Sequence, residues 1–209
     1  MKDLVVLAAD GRMRASVHEI LSRNESLGIA PITFDAFDHP EHDPGVLLRG
    51  HLLLRPFQNN YRYALALFDR EGCGRQQPGS ELAASVQNNL DENGWRGRSA
   101  VLVLEPELEI WVWASSPHVA QALGWRRSRA LRLWLEQKEF LDPGQSKPRR
   151  PKEAMEAALQ EVRQPKSTAT YRSIARRVSL AQCTDPTFTQ LVSTLRAWFP
   201  RSKLNSPRG

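Results

Sequence analysis

The sequence predicts an α/β protein: a parallel sheet flanked by helices, followed by a helical C-terminal extension. Three observations carry this. Four segments, at 4–9, 32–37, 63–68 and 99–104, read as strands, and the first is a continuous apolar run that fits a strand buried on both faces. Stretches with helical spacing separate them, and the resulting β-α-β-α-β-α-β order is that of a parallel sheet with right-handed crossovers. From residue 117 onward the apolar runs stop and helical spacing alone remains.

Each element has its own signal. Leu4 to Ala9 is apolar throughout and is broken by Asp10-Gly11. Residues 12–23 place Met13, Val17, Ile20 and Leu21 at helical spacing. Ile32 to Phe37 is the second strand. Pro44 to Phe57 is apolar at helical spacing, and Pro44 suits a first turn. Tyr63 to Phe68 is the third strand. Gly72-Cys73-Gly74 and Pro78-Gly79 mark a loop, after which Ser80 can cap a helix over 81–91. Ser99 to Leu104 is the fourth strand. Residues 119–140 read as helix interrupted near Gly124. Asp142 to Pro151 holds three prolines, a glycine and three basic residues, and reads as a linker. Helices follow at 152–163, 170–178 and 186–199. The expected division is a core over 1–118, an extension over 119–199 and a disordered tail over 200–209.

Composition narrows the class. The chain has 209 residues, 41% of them hydrophobic, enough for one sizeable core. No apolar run approaches the roughly 18 residues of a membrane span. The first residues lack the long apolar region of a signal peptide and read as a strand, so a cytoplasmic protein is expected. Cys73 and Cys183 are far apart, form no CxxC pair, and read as free thiols rather than zinc ligands. Charge is divided unevenly. Residues 1–120 carry 11 Lys/Arg against 16 Asp/Glu, and residues 121–209 carry 18 against 7. An acidic half suits cations, and a basic half suits phosphates.

The chemistry-bearing residues lie after the strands. Asp10 follows the first, Asp69 and Glu71 the third, and Glu105, Glu107 and Glu109 the fourth. Asp69 and Glu71 are spaced to face one side of an extended segment. Carboxylates at the ends of parallel strands converge on one sheet edge, where open α/β folds place their chemistry. An all-oxygen set suits Mg²⁺ or Mn²⁺, which polarises a phosphoryl group and lowers the pKa of a bound water. The bland reading of each acid alone is a loop solubiliser or a helix N-terminal charge.

The order strand-acid-Gly, strand-Asp-x-Glu, strand-Pro-x-x-Glu-x-Trp resembles the Toprim fold of topoisomerases, primases and several nucleases. It resembles more closely a bacterial Toprim-like family of unknown function. There, the segment matching Pro106, Glu109 and Trp111 is paired with a C-terminal pattern matching Tyr171, Ile174, Ala175, Cys183, Phe188 and Leu191. The chain also looks like a small component of a multi-gene anti-phage system, the methylation-associated defence system. The resemblance implies a Mg²⁺- or Mn²⁺-dependent nuclease or nuclease subunit, with Asp10, Asp69, Glu71 and Glu109 as catalytic and metal-binding residues. Asp10 would be a ligand or the general base. Two departures, Asp for Glu at the first acid and Glu for Asp at 71, keep open a degenerate adaptor or sensor that binds other defence subunits. A phosphatase or primase-like enzyme shares the metal logic with less support.

Other residues complete the expectation. His39 and His42, in a stretch dense with ligand-type side chains, are candidate accessory groups for metal or proton transfer, against a polar turn. Gly72-Cys73-Gly74 is a tight turn or a close-approach point for phosphate, and not a P-loop. Trp111 and Trp113 read as core. Arg126, Arg127 and Arg129, then Lys147, Arg149 and Arg150, then Arg172 and Arg176 form three basic clusters. They suit nucleic-acid backbone or, equally, an acidic protein partner.

Overall fold

Residues Lys2–Ala8 form β1, and every side chain from Leu4 on is buried. A strand without a polar face needs neighbours on both edges and cover on both faces. The computed structural model, which describes residues 1–113 and 116–201, supplies both. β1 pairs in parallel with β2 (Phe34–Asp38) and with β3 (Tyr61–Asp69), and β3 pairs in parallel with β4 (Ser99–Leu104). The sheet order is β2-β1-β3-β4. The strands therefore end together at one edge, with Ala8 opposite Asp38 and Asp69 opposite Leu104.

The register assigns the helices to faces. On one face α3 (His42–Leu54) crosses β1 and β3, with Gly50 against Leu7, and α4 (Gly79–Leu90) covers β4. Leu4 points to the other face and is in register with Phe34 and Tyr63. There α1 (Gly11–Leu21) sets His18 against Phe34, with ring centroids 5.1 Å apart. A four-residue helix α2 (Asn24–Leu27) follows α1. On the same face α10 (Pro186–Trp198) stacks Trp198 on Tyr63 at 4.5 Å. The last helix of the segment expected as an extension thus completes the second layer of the core.

Between sheet and last helix lie α5 (Glu109–Val112), α6 (Pro117–Ala122), α7 (Ser128–Gln137), α8 (Pro151–Glu161) and α9 (Thr168–Arg177). α9 packs along α1, where Arg23 donates to the carbonyls of Ala175 (2.9 Å) and Val178 (2.8 Å). Trp111, Trp113 and Trp125 bury their rings and place each indole N–H on an acceptor: Asp185 Oδ1, the Pro151 carbonyl and the Ala158 carbonyl, at 3.0, 2.8 and 3.1 Å. This is the arrangement a buried tryptophan requires. Both cysteines are free.

Some boundaries differ from expectation. Ser80 does not cap: Pro78 precedes α4, which begins at Gly79, and the Gly79 N–H donates to Glu105 Oε1 at 2.7 Å. After β4 the chain turns and forms a short helix from Glu109, a segment to which the sequence assigned no element. Pro200, expected in the tail, pairs with Ile29. The rest of that expectation, residues 202–209, lies outside the described residues. Among the described residues no helix is long and apolar enough to cross a membrane.

Candidate metal centre

Asp69 is the last residue of β3, and its surroundings are set by the turn that follows. The chain leaves the strand into a 3₁₀ turn at Glu71–Cys73. The Asp69 N–H, freed at the strand end, donates to Asp43 Oδ1 at 2.7 Å from the first turn of α3. Gly72 permits this, because a side chain there would collide with the Asp43 carboxylate. The Asp69 side chain is different: its Oδ1 is buried and has no hydrogen-bond partner. Burial, then the charges of Asp43, Glu109, Glu107 and Asp10, push its pKa well above the ordinary carboxylate value. A buried polar atom without a partner is uncommon and points to a missing ligand.

The segment after β4 brings two more carboxylates. Glu107 is buried in the turn, and Glu109 is the buried first residue of α5. One oxygen from each of Asp69, Glu107 and Glu109 lies within 4.8 Å of the others. Glu107 Oε1 accepts the Lys152 N–H at 3.1 Å, and its Oε2 lies 3.3 Å from Lys152 Nζ. Burial and the neighbouring Glu109 nevertheless raise its pKa. Glu109 accepts a short hydrogen bond from the Tyr171 hydroxyl and lies 3.7 Å from Lys166 Nζ. Burial and the Glu109 charge push the Tyr171 phenol up, so it stays a donor. Burial works against the charge of Lys152, but Glu107, Glu109 and Asp69 outweigh it and raise its pKa.

The donor set fits a hard divalent cation. Three carboxylates from three positions leave coordination sites for water or phosphate oxygens, as Mg²⁺ and Mn²⁺ prefer. The orphaned Asp69 oxygen is the group such an ion would satisfy. Outer contacts that orient the ligands are also present, with Asp43 on the Asp69 backbone and Tyr171 on Glu109.

The sequence-derived residues divide. Asp69 and Glu109 meet in the triad. Asp10 does not join it, because it caps α1. Its Oδ1 accepts the N–H groups of Arg12 (2.9 Å) and Met13 (2.8 Å), and its Oδ2 takes the Arg12 guanidinium at 3.0 and 2.9 Å. Glu71 is exposed on the 3₁₀ turn, and the triad forms without it. The i, i+2 rule that paired it with Asp69 holds only while the chain stays extended. His39 is buried with Nδ1 accepting the Glu41 N–H at 3.1 Å, and burial lowers its pKa. His42 is exposed, and neither histidine is in the triad.

The basic residues are also spread. Arg172 and Arg176 pair with Glu19 at 3.5 and 3.0 Å, Arg149 with Asp142 at 2.6 Å and Arg150 with Glu153 at 3.4 Å. Lys147 Nζ lies 4.0 Å from Asp185. Arg126, Arg127 and Arg129 are exposed, and among the described residues no ion pair engages them. Sequence reasoning missed the roles of Glu107, Asp43, Lys152 and Lys166. The Glu107-x-Glu109 repeat was the one available signal.

Comparison of the chain with protein-family models, curated proteins and solved structures returned no match.

Proposed function

We propose that this protein is a Toprim-like, Mg²⁺- or Mn²⁺-dependent phosphodiesterase that cleaves nucleic acid, acting alone or as a subunit of an anti-phage defence assembly. The observation that carries the reading is the buried, unpartnered Asp69 Oδ1 within a triad of carboxylates at the C-terminal edge of a parallel sheet. A cation held by Asp69, Glu107 and Glu109 would polarise a phosphoryl oxygen and lower the pKa of a bound water. The protein's own part is to hold the three ligands and to keep Glu109 oriented through Tyr171. The exposed Arg126, Arg127 and Arg129 would contribute backbone contacts. The test is Mn²⁺ titration by calorimetry with a parallel cleavage assay on DNA and RNA, wild type beside Asp69→Asn. Saturable binding and cleavage, both lost in the variant, support the proposal. Cleavage that survives in the variant sinks it.

A second reading is a non-catalytic adaptor or sensor in a defence complex. The engagement of Asp10 as a helix cap favours it, since the acid assigned by resemblance as ligand or general base has both oxygens occupied. Phage protection retained by Asp69→Asn and lost on neutralising Arg126, Arg127 and Arg129 would select this reading.

A further inference from the structure

The acids of the metal centre sit at the end of β3 and in the segment after β4, but the cations facing them come from elsewhere. Lys152 is the second residue of α8, and Lys166 lies in the segment just before α9. Each reaches a different member of the triad. Lys152 Nζ is 3.3 Å from Glu107 Oε2, and Lys166 Nζ is 3.7 Å from Glu109 Oε1. Both separations exceed the roughly 2.7–2.9 Å of a strong charge-assisted hydrogen bond. Lys166 is held by Glu156 at 2.5 Å, which fixes it beside the triad. Both side chains remain reachable from solvent, with 45% and 21% exposure.

We infer that Lys152 and Lys166 form a phosphate-binding pair that holds an anionic substrate group against the cation of the triad. The inference rests on the metal reading above. Coordination would engage oxygens of Glu107 and Glu109, freeing N–H donors of Lys152 and of Lys166, which keeps Glu156 as an anchor. With Glu156, which partners Lys166, four carboxylates balance one divalent cation and two ammonium groups, so no net negative charge repels an incoming anion. A tetrahedral phosphate can place one oxygen on the cation and others on the two ammoniums. Lysine acts here as a point charge, the usual way it meets phosphate.

The test is calorimetry on the full chain in two steps: Mg²⁺ alone, then inorganic phosphate at saturating Mg²⁺. Wild type is compared with Lys152→Gln/Lys166→Gln and with the corresponding double arginine variant. The glutamine variant is expected to bind Mg²⁺ at least as tightly as wild type, because two repelling charges are gone. Its phosphate affinity should fall at least ten-fold, with arginine restoring most of it. Phosphate binding equal to wild type in the glutamine variant overturns the inference and leaves the metal reading intact. Absence of Mg²⁺ binding in wild type overturns both. The single glutamine variants, each expected to lose three-fold or more, serve if the double variant is unfolded by circular dichroism. A thymidine dinucleotide, whose one charge is an internal phosphodiester, replaces phosphate in a second series. Discrimination with the dinucleotide assigns an internal phosphate, and discrimination with inorganic phosphate alone assigns a terminal one.

Discussion

Asp10 and Asp69 stand at the C-terminal ends of two neighbouring strands, yet their fates differ. After Asp10 a helix begins at once, and its unpaired N–H groups claim the carboxylate. After Asp69 the chain makes a tight turn, and no α-helix starts before Gly79. Its backbone is served by Asp43, while its side-chain Oδ1 is buried without a donor. One acid therefore caps a helix, and the other keeps a buried oxygen without a partner. The residue type and the sheet edge are shared. What separates them is how soon a helix N-terminus follows.

The largest expected effect breaks or confirms that contrast directly. Asp69→Asn should weaken Mn²⁺ binding by more than the roughly 10–100-fold typical of an outer contact, while Asp10→Asn should change it little. Calorimetric titration of the two variants decides, and equal losses would remove the distinction. The next concerns pH. Asp69, Asp43 and Glu107 all have folded-state pKa values raised, first by burial, so the folded protein binds more protons than the unfolded chain above the ordinary values of 3.8 and 4.5. These three groups should therefore lower the stability of the metal-free protein as pH rises from there through the raised values, while His39, whose pKa burial lowers, contributes with the opposite sign below its ordinary value of 6.5. Thermal unfolding across pH 4–8 should show this slope, flattened in Asp69→Asn and opposed by added Mn²⁺.

Two smaller effects sharpen the comparison. Tyr171→Phe leaves Glu109 short of a donor inside the protein and should cost about 1–3 kcal/mol in urea unfolding. Asp10→Ala removes a helix cap and should cost about 1 kcal/mol in the same measurement. An Asp10→Ala cost near zero would mean that the capping bonds contribute nothing net.

Much of the sheet was legible because strands buried on both faces leave uninterrupted apolar runs. The ends of the first three strands moved by one or two residues and the fourth stayed at Ser99–Leu104: β3 extends over Tyr61–Asp69 where the run suggested 63–68, since strand ends tolerate polar side chains. The site was legible only in part. Asp69 and Glu109 follow strands and were found. Glu71 was paired with Asp69 by a spacing that assumes an extended chain, and the chain turns. Asp10 was read as a ligand because capping demand depends on where the next helix begins. Asp43, Lys152 and Tyr171 act on residues far away in sequence, at separations of 26, 45 and 62 positions, and periodicity carries no information about such pairings.

The seating of the last helix bears on how the chain is made. β1 is synthesised before the other strands of the sheet and ends in its middle, while Trp198 reaches back to Tyr63 and the Ala30 N–H donates to the Phe199 carbonyl at 3.1 Å. During translation one side of the nascent sheet must wait for the final helix to leave the ribosome. Contacts of such long span form slowly and leave apolar surface open meanwhile. A fragment ending at residue 118 should accordingly emerge as a sticky, chaperone-dependent species, and a fragment that extends through α10 should be protease-resistant.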